Sequence, residues 1–583
     1  MTVLNWFAVL MISLLFAASA EAWDTQPDTW VATDHLGRKV STHEDVGGPR
    51  KDKFVGIFYF LWMGQHGTDG PYDITKILAA DPEAMRKPDS PLWGPRHKFH
   101  HWGEPLFGYY LSDDAWVLRK HAQMLADAGV DVVIFDVTNQ FTYKKCYMEL
   151  CHVFSEVRAD GGRTPQIAFL TPFWDPPRVV AELHKDLYGP GLYKDLWFQW
   201  KGKPLILADP DKVDAQYRDF FTFRKPQPDY FQGPTGPNQW GWLEKYPQHV
   251  FYDENNKPEQ MVVGIGQNGH DGKLSAFSVP NTYGRSWHDG KKDERPGAVN
   301  LGLNVAEQWK RALEVDPEFI WITGWNEWIA MRLDEFAGEK EPVMFVDQFT
   351  QEYSRDIEPM VGRHSDAYYY QMVDYIRKFK GAREPRPAGP KKTIRIGGGF
   401  DEWKSVKPEY RDDFGDTMHR DHPGYDNVGR YTNTTGRNDL VLMKVAHDMK
   451  NIYFYAQTAG PITPHTDPRW MMLFINADRD RNTGWEGYNF VVNRRVIDGD
   501  TTTLMRLSRR GGGIHVTNVT YACSGNQIEL AIPRKALGLD DVRKPLDFEF
   551  KWADNMQSDD VMEFTVNGDA APNGRFNYRY FEE

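Results

Sequence analysis

Four continuous apolar runs constrain this chain more than any other feature. Residues 54–62 (FVGIFYFLW), 130–136 (VDVVIFD), 166–171 (QIAFLT) and 319–324 (FIWITG) show no alternation of apolar and polar side chains. A strand with one face in water alternates, and a strand covered on both faces does not. Helical segments lie between the runs. Ser112 stands where it can cap a helix with Asp113 and Asp114 in the first turn, and Gly129 can stop it. A second helix is expected at about 143–157, and further strands at 204–208 and 260–266. Repeating βα units over residues 23–382 predict an α/β domain, a (β/α)₈ TIM barrel with long loops. A doubly wound open sheet is the competing arrangement, but no Gly-rich dinucleotide fingerprint follows the first strand.

The pattern changes after residues 383–393 (REPRPAGPKKT), a Pro- and Lys-rich stretch that reads as a linker. Over 394–583, short strand-like runs are separated by Gly, Asn and Asp turns. They include 439–446, 451–457, 470–476, 488–493, 514–521, 527–532 and 548–553. This predicts a C-terminal all-β sandwich.

At the other end, residues 4–18 are almost wholly apolar, and Ala18-Ser19-Ala20 or Ala20-Glu21-Ala22 offers a small-x-small cleavage pattern. Residues 1–22 therefore read as a secretory signal peptide, with secretion to the periplasm or the exterior implied. No other stretch is long and apolar enough to predict a membrane span in the mature chain. The charge balance of −13 argues against nucleic acid or an anionic membrane surface as the partner. The 21 Trp, 27 Tyr and 34 Phe residues suit surfaces that stack on sugar rings, with the core as their other destination. The three cysteines, Cys146, Cys151 and Cys523, are too few and too scattered for a zinc site, and read as small core residues.

Barrel chemistry belongs at the C-terminal ends of the strands. The sharpest such segment is 320–331 (IWITGWNEWIAM), where a buried strand runs into Asn326 and Glu327 between Trp325 and Trp328. A carboxylate at a strand end, walled by indoles, is a candidate catalytic group beside sugar platforms. Asp136, ending VVIFD, is the second candidate, with Asn139 in the same loop as a hydroxyl ligand. Asn268 and His270 (GQNGHDG), and Tyr283, Arg285 and Trp287 (TYGRSWHD), are candidate substrate contacts. Asp175, Asp271 and Asp334 stand behind Asp136 as acids. His97, His100 and His101 are adjacent loop histidines, a poor geometry for one metal ion.

These segments carry a resemblance. Trp62 on the first strand, GVDVVIFD, the GRSWH loop and WNEW at 325–328 are similar to the clan of family 99 and family 71 glycoside hydrolases, over about residues 50–380. Family 99 enzymes are endo-acting α-mannosidases and α-mannanases on a barrel of this kind. The resemblance implies a glycan substrate, Trp62 at the substrate, and Glu327 as the carboxylate that acts through the substrate's own 2-hydroxyl. That family's second Glu falls on Ala330 here, so Asp136 is the candidate replacement acid. A non-catalytic glycan-binding barrel is the alternative. The C-terminal part resembles a family 9 carbohydrate-binding module, through FDEW at 400–403 and residues 476–494. Within the latter, Asn476, Asp478, Asp480 and Asn482 have a spacing that suits structural calcium, with an Asx-rich turn as the competing reading. Trp403, Trp470 and Trp485 are candidate sugar-stacking residues. No cofactor is expected for catalysis.

Overall fold

A computed structural model describes residues 23–229 and 231–583. The expected signal peptide, 1–22, lies outside the described residues. The apolar runs form a parallel sheet. Its hydrogen-bonded order is Pro258–Gly264, Phe319–Thr323, Phe54–Tyr59, Val132–Asp136, Gln166–Leu170, Lys203–Leu207 and Thr222–Phe223. Lys225–Gln227 then pairs in parallel with Gln239–Gly241. Among the described residues no backbone ladder joins Gln239–Gly241 to Pro258–Gly264. The Gln260 side chain bridges that gap: its Oε1 accepts from the Gly241 N–H and its Nε2 donates to the Gly241 carbonyl, each at 3.0 Å. With the Asn238 N–H on the Tyr252 carbonyl and Thr323 Oγ1 on the Trp242 carbonyl, this amide completes the barrel-like ring.

The expected regularity of eight βα units is not present. Helices Ala115–Ala128, Lys144–Ala159, Pro177–Leu183, Leu303–Val315 and Ala367–Lys380 pack outside the sheet. Between 208 and 258 the only α-helix among the described residues is one turn, Ala215–Arg218. Pro226, Pro228, Pro234 and Pro237 explain this, because each removes an N–H that a helix would need. One cap is also corrected. Asp114, not Ser112, caps the helix Ala115–Ala128 by accepting from the Trp116 N–H, and Ser112 Oγ instead accepts from the Met63 N–H at 3.0 Å. Gly129 ends that helix at φ 84°, a left-handed conformation in which a Cβ would be strained.

The ring is packed, not hollow. Phe58, Phe60, Ile134, Leu170, Leu207, Trp240 and Trp321 fill it. At its floor Arg224 holds Glu259 through two 2.6 Å bonds, and the indole N–H groups of Trp200 and Trp240 donate to the same carboxylate. Only the opposite, C-terminal mouth is left for chemistry.

The C-terminal part is all-β, but it is one curled antiparallel sheet and not two facing ones. Of its eleven strands, nine follow one hydrogen-bonded path from Glu409–Arg411 and Leu440–His447 round to Asp547–Asp554, and Asp569–Ala571 and Tyr578–Phe581 both pair with that last strand. The two ends of the path meet: the Tyr410 hydroxyl donates to the Arg579 carbonyl, and Asp569 Oδ2 accepts from the Leu440 N–H at 2.6 Å.

Residues 383–393 form neither helix nor strand, yet they are docked. The N–H groups of Ala388, Gly389 and Lys392 donate to Phe581, Lys407 and His447. Buried ion pairs join the two parts, Arg575–Asp366 at 2.5 Å and Arg420–Asp114 at 2.7 Å. Trp30 also packs on Phe576 and Tyr578.

Candidate active site at the barrel mouth

The segment after Phe319–Thr323 is fixed by the first strand. The Trp325 N–H donates to the Phe58 carbonyl, and the Asn326 amide bonds both the N–H and the carbonyl of Phe60. Glu327 follows, with its own N–H donating to Asp356 Oδ1 at 2.6 Å. Its side chain is 2% exposed. Gln348 Nε2 donates to Glu327 Oε2 at 2.8 Å and Arg355 Nε donates to the same oxygen at 3.1 Å. Burial pushes this carboxyl well above its ordinary range, Arg355 opposes that, and the carboxylates of Asp347, Asp356 and Asp136 add to the rise.

Arg355 is the hub. Its Nη2 donates to Asp347 Oδ1 at 3.2 Å, and its Nη1 to Asn268 Oδ1 at 3.4 Å. Asp347 is 38% exposed and faces the mouth. It is delivered by the hairpin Ile329–Phe336 with Glu339–Phe345, which leaves the barrel directly after Trp328. Ala330, where the resembling family has its second Glu, lies inside this hairpin among Trp93, Val343 and Phe345. Asp136 is half-buried, accepts from the Thr138 N–H at 2.9 Å, and is pushed up to about 6 by burial. Asp347 raises it further and Arg355 opposes the rise. Glu327, Asp136 and Asp347 thus come from three chain segments and sense one another's charge at one end of the ring.

Beside them, Asn139 Nδ2 donates to the Tyr143 hydroxyl at 2.5 Å, and His66 Nε2 meets the same hydroxyl at 2.9 Å. His66 stacks on Phe99 at 4.9 Å, and half-buried Trp62 lies against both rings, its indole N–H without a partner. Phe141 and Trp174 stand out at the loops after Val132–Asp136 and Gln166–Leu170, with Trp174 73% exposed.

Several other expected contacts are buried or bonded to neighbouring chain. Trp325 and Trp328 do not wall an open cleft, because both are fully buried. Trp325 packs on His121, and Trp328 stacks on Trp102 at 4.6 Å while its indole N–H donates to Glu358. Asn326 is spent on Phe60. Arg285 is buried, bonded to Ser354 Oγ and the Asp356 carbonyl, and covered by Tyr368. Tyr283 pairs through its backbone with Gln267 and packs on Trp287, with His270 on the short hairpin 269–274 between them in sequence. His100 bonds two backbone carbonyls, and burial pushes it down to about 4.

In the C-terminal part, Trp403, Trp470 and Trp485 are buried, not presented to sugar. In the 476–482 turn, Asp478 accepts from Thr483 Oγ1 and Asn489 Nδ2, and Asp480 from the Asn482 N–H. Asn476 turns away to Glu549.

Sequence reasoning missed Asp347, Gln348, Arg355 and Asp356. The run 343–347 (VMFVD) has the same apolar-then-acid form as the strand ending in Asp136, and was the available signal. Arg355 and Asp356 lie in irregular chain and had none.

A packed ring with acidic groups gathered at its C-terminal mouth is the arrangement in which barrel enzymes place their chemistry. No family profile matches this chain, and no curated protein does. Among solved structures, the chain is similar to the GH99 endo-α-mannosidase from Bacteroides thetaiotaomicron, at 15% identity and a TM-score of 0.33, over 56% of this chain and 98% of that one. The same enzyme with bis-tris propane gives 16% identity and a TM-score of 0.31, over 56% and 97%. A glycoside hydrolase-like protein gives 11% and 0.29, over 58% and 96%. Among the described residues no helix is long and apolar enough to cross a membrane.

Proposed function

We propose that this chain is a secreted glycoside hydrolase acting on a poly- or oligosaccharide, with Glu327 and a second carboxylate as its catalytic pair. The observation that carries this reading is the convergence of Glu327, Asp136 and Asp347 around Arg355 at the mouth. Glycoside cleavage needs one carboxyl to protonate the leaving oxygen and another to act as nucleophile or base. Asp136, with its raised affinity for a proton, suits the acid. Glu327 is the base because the Arg355 cation and the Gln348 amide N–H both donate to its Oε2 and favour the carboxylate against the burial that raises its proton affinity. Asp347 is the alternative acid, brought in by the hairpin that buries Ala330. Exposed Trp174 and Phe141 are the sugar platforms in place of Trp325 and Trp328. An α-mannoside is the substrate class that the WNEW segment favours. The C-terminal part, with all four of its tryptophans buried, acts as a brace.

One observation favours a second reading, a barrel that binds glycan without cleaving it: both donors on Glu327 already occupy the same oxygen, and its side chain is buried. A hydrolysis screen of purified protein against α-mannans and other polysaccharides, with Glu327→Gln as control, separates the two. Release of reducing ends by the wild type alone supports the enzyme. Glycan binding without release by either protein supports the binder.

A further inference from the structure

Where the ends of the C-terminal sheet meet beside the barrel helix Ala115–Ala128, three carboxylates lie together. One oxygen from each of Asp412, Asp416 and Asp569 falls within 4.8 Å of the others, and all three residues are buried. Asp412 is fully buried, and neither of its carboxylate oxygens has a hydrogen-bond partner. Asp416 Oδ2 accepts from Gln123 Nε2 at 3.1 Å, and its Oδ1 has no partner. Gln123, on the barrel helix, leaves its own Oε1 buried and unpartnered. Asp127, Asp413 and Asp439 lie close enough to add their charge. Lys551 is the buried cation nearby, but its ammonium donates to the Pro572 carbonyl and sits over the Phe564 ring.

Buried carboxylates without partners take up protons or coordinate a metal. These donors are all oxygen and mostly anionic, which selects a hard cation over zinc or copper. A calcium shell with bonds of about 2.3–2.6 Å is about 5 Å across, so a 4.8 Å spread of oxygens fits inside it. Magnesium prefers to keep several waters, which suits a fully buried group of chain ligands less well. We propose that Asp412, Asp416 and Asp569 bind a calcium ion that fastens the seam of the C-terminal sheet to the barrel helix carrying Gln123. The site is separate from the 476–482 turn, whose Asp478 and Asp480 oxygens are met by the turn's own donors.

The test uses the full mature chain dialysed against EGTA, then returned to buffer with calcium chloride, with magnesium chloride, or with neither. Metal content is read by elemental analysis and stability by melting temperature. We expect one calcium per chain and a melting temperature several degrees higher with calcium than without. Asp478→Asn keeps both effects. Asp412→Asn loses both, and in EGTA it melts no lower than the wild type in EGTA, because it removes an unpaired buried charge. If Asp412→Asn does not fold, Asp416→Asn replaces it with the same expectation for metal content. A wild type that takes up no calcium overturns the proposal, as does calcium lost with Asp478→Asn but kept with Asp412→Asn. A melting shift with magnesium alone overturns the assignment to calcium.

Discussion

Arg355 Nε lies 3.1 Å from Glu327 Oε2, and both side chains are 2% exposed. The other end of the same guanidinium reaches Asp347. One buried cation therefore sets the charge of the deepest carboxylate and the position of the most open one. Removing it leaves Glu327 uncompensated. Arg355→Met should cost about 3–5 kcal/mol in stability. Glu327→Gln should cost much less, because an amide oxygen still accepts from Arg355 and Gln348. Urea unfolding of the two variants checks the asymmetry, and equal losses would sink this account of the pair.

Turnover separates the carboxylates. Glu327→Gln should lower kcat by about 10³ or more on any glycan found to be cleaved, with binding largely kept. Asp136→Asn should lower the rate by about 10²–10⁴ on natural glycosides, and far less on substrates with activated leaving groups that need little protonation. If Asp347→Asn shows the leaving-group dependence and Asp136→Asn does not, the acid is Asp347.

The pH dependence follows from the same carboxyl. Asp136 is pushed up to about 6, so its acid form is lost as pH rises through about 6, and kcat/KM should fall there. The stability sign is opposite to that of a salt-bridged Asp. The folded state holds the proton more tightly than the unfolded state, so folding loses stability as pH rises from about 4 to 6. Asp136→Asn removes that loss and should be more stable than the wild type at pH 7.5, by at most about 3 kcal/mol, with little difference at pH 4. Denaturant melts at the two pH values measure it.

The docked stretch 383–393 predicts that a protease nick there leaves the two parts associated on gel filtration. Arg420 and Asp114 are a buried pair between the parts, so Arg420→Ala should cost about 3–5 kcal/mol. The barrel without residues 394–583 should melt far below the full chain. Two pieces that separate after nicking and melt independently would show the docking to be weak.

The parallel strands were legible because burial on both faces removes polar residues from the sequence, as in 130–136 and 319–324. Glu327 and Asp136 were legible because they end such runs. The 222–258 segment was not, since strands of two or three residues between prolines leave no periodic signal. Trp325 and Trp328 were placed in the cleft because indoles next to a carboxylate look like sugar platforms. Their rings instead pack on His121 and Trp102, a distinction that only three-dimensional packing makes. Arg355 stands 28 residues beyond Glu327 in irregular chain, and spacing could not have found it.

Gln260 does with one side chain what several backbone pairs do elsewhere in the ring. The staves on its two sides share no ladder and are tied at single points instead, by the Asn238 N–H on the Tyr252 carbonyl at 3.0 Å and by Thr323 Oγ1 on the Trp242 carbonyl at 2.6 Å. The chain after Gln239–Gly241 is thus pinned through the Trp242 carbonyl and the Gln248 amide, not along its length. A change of loop length at this clasp costs a few point contacts, where the same change between any other two staves would cost a ladder.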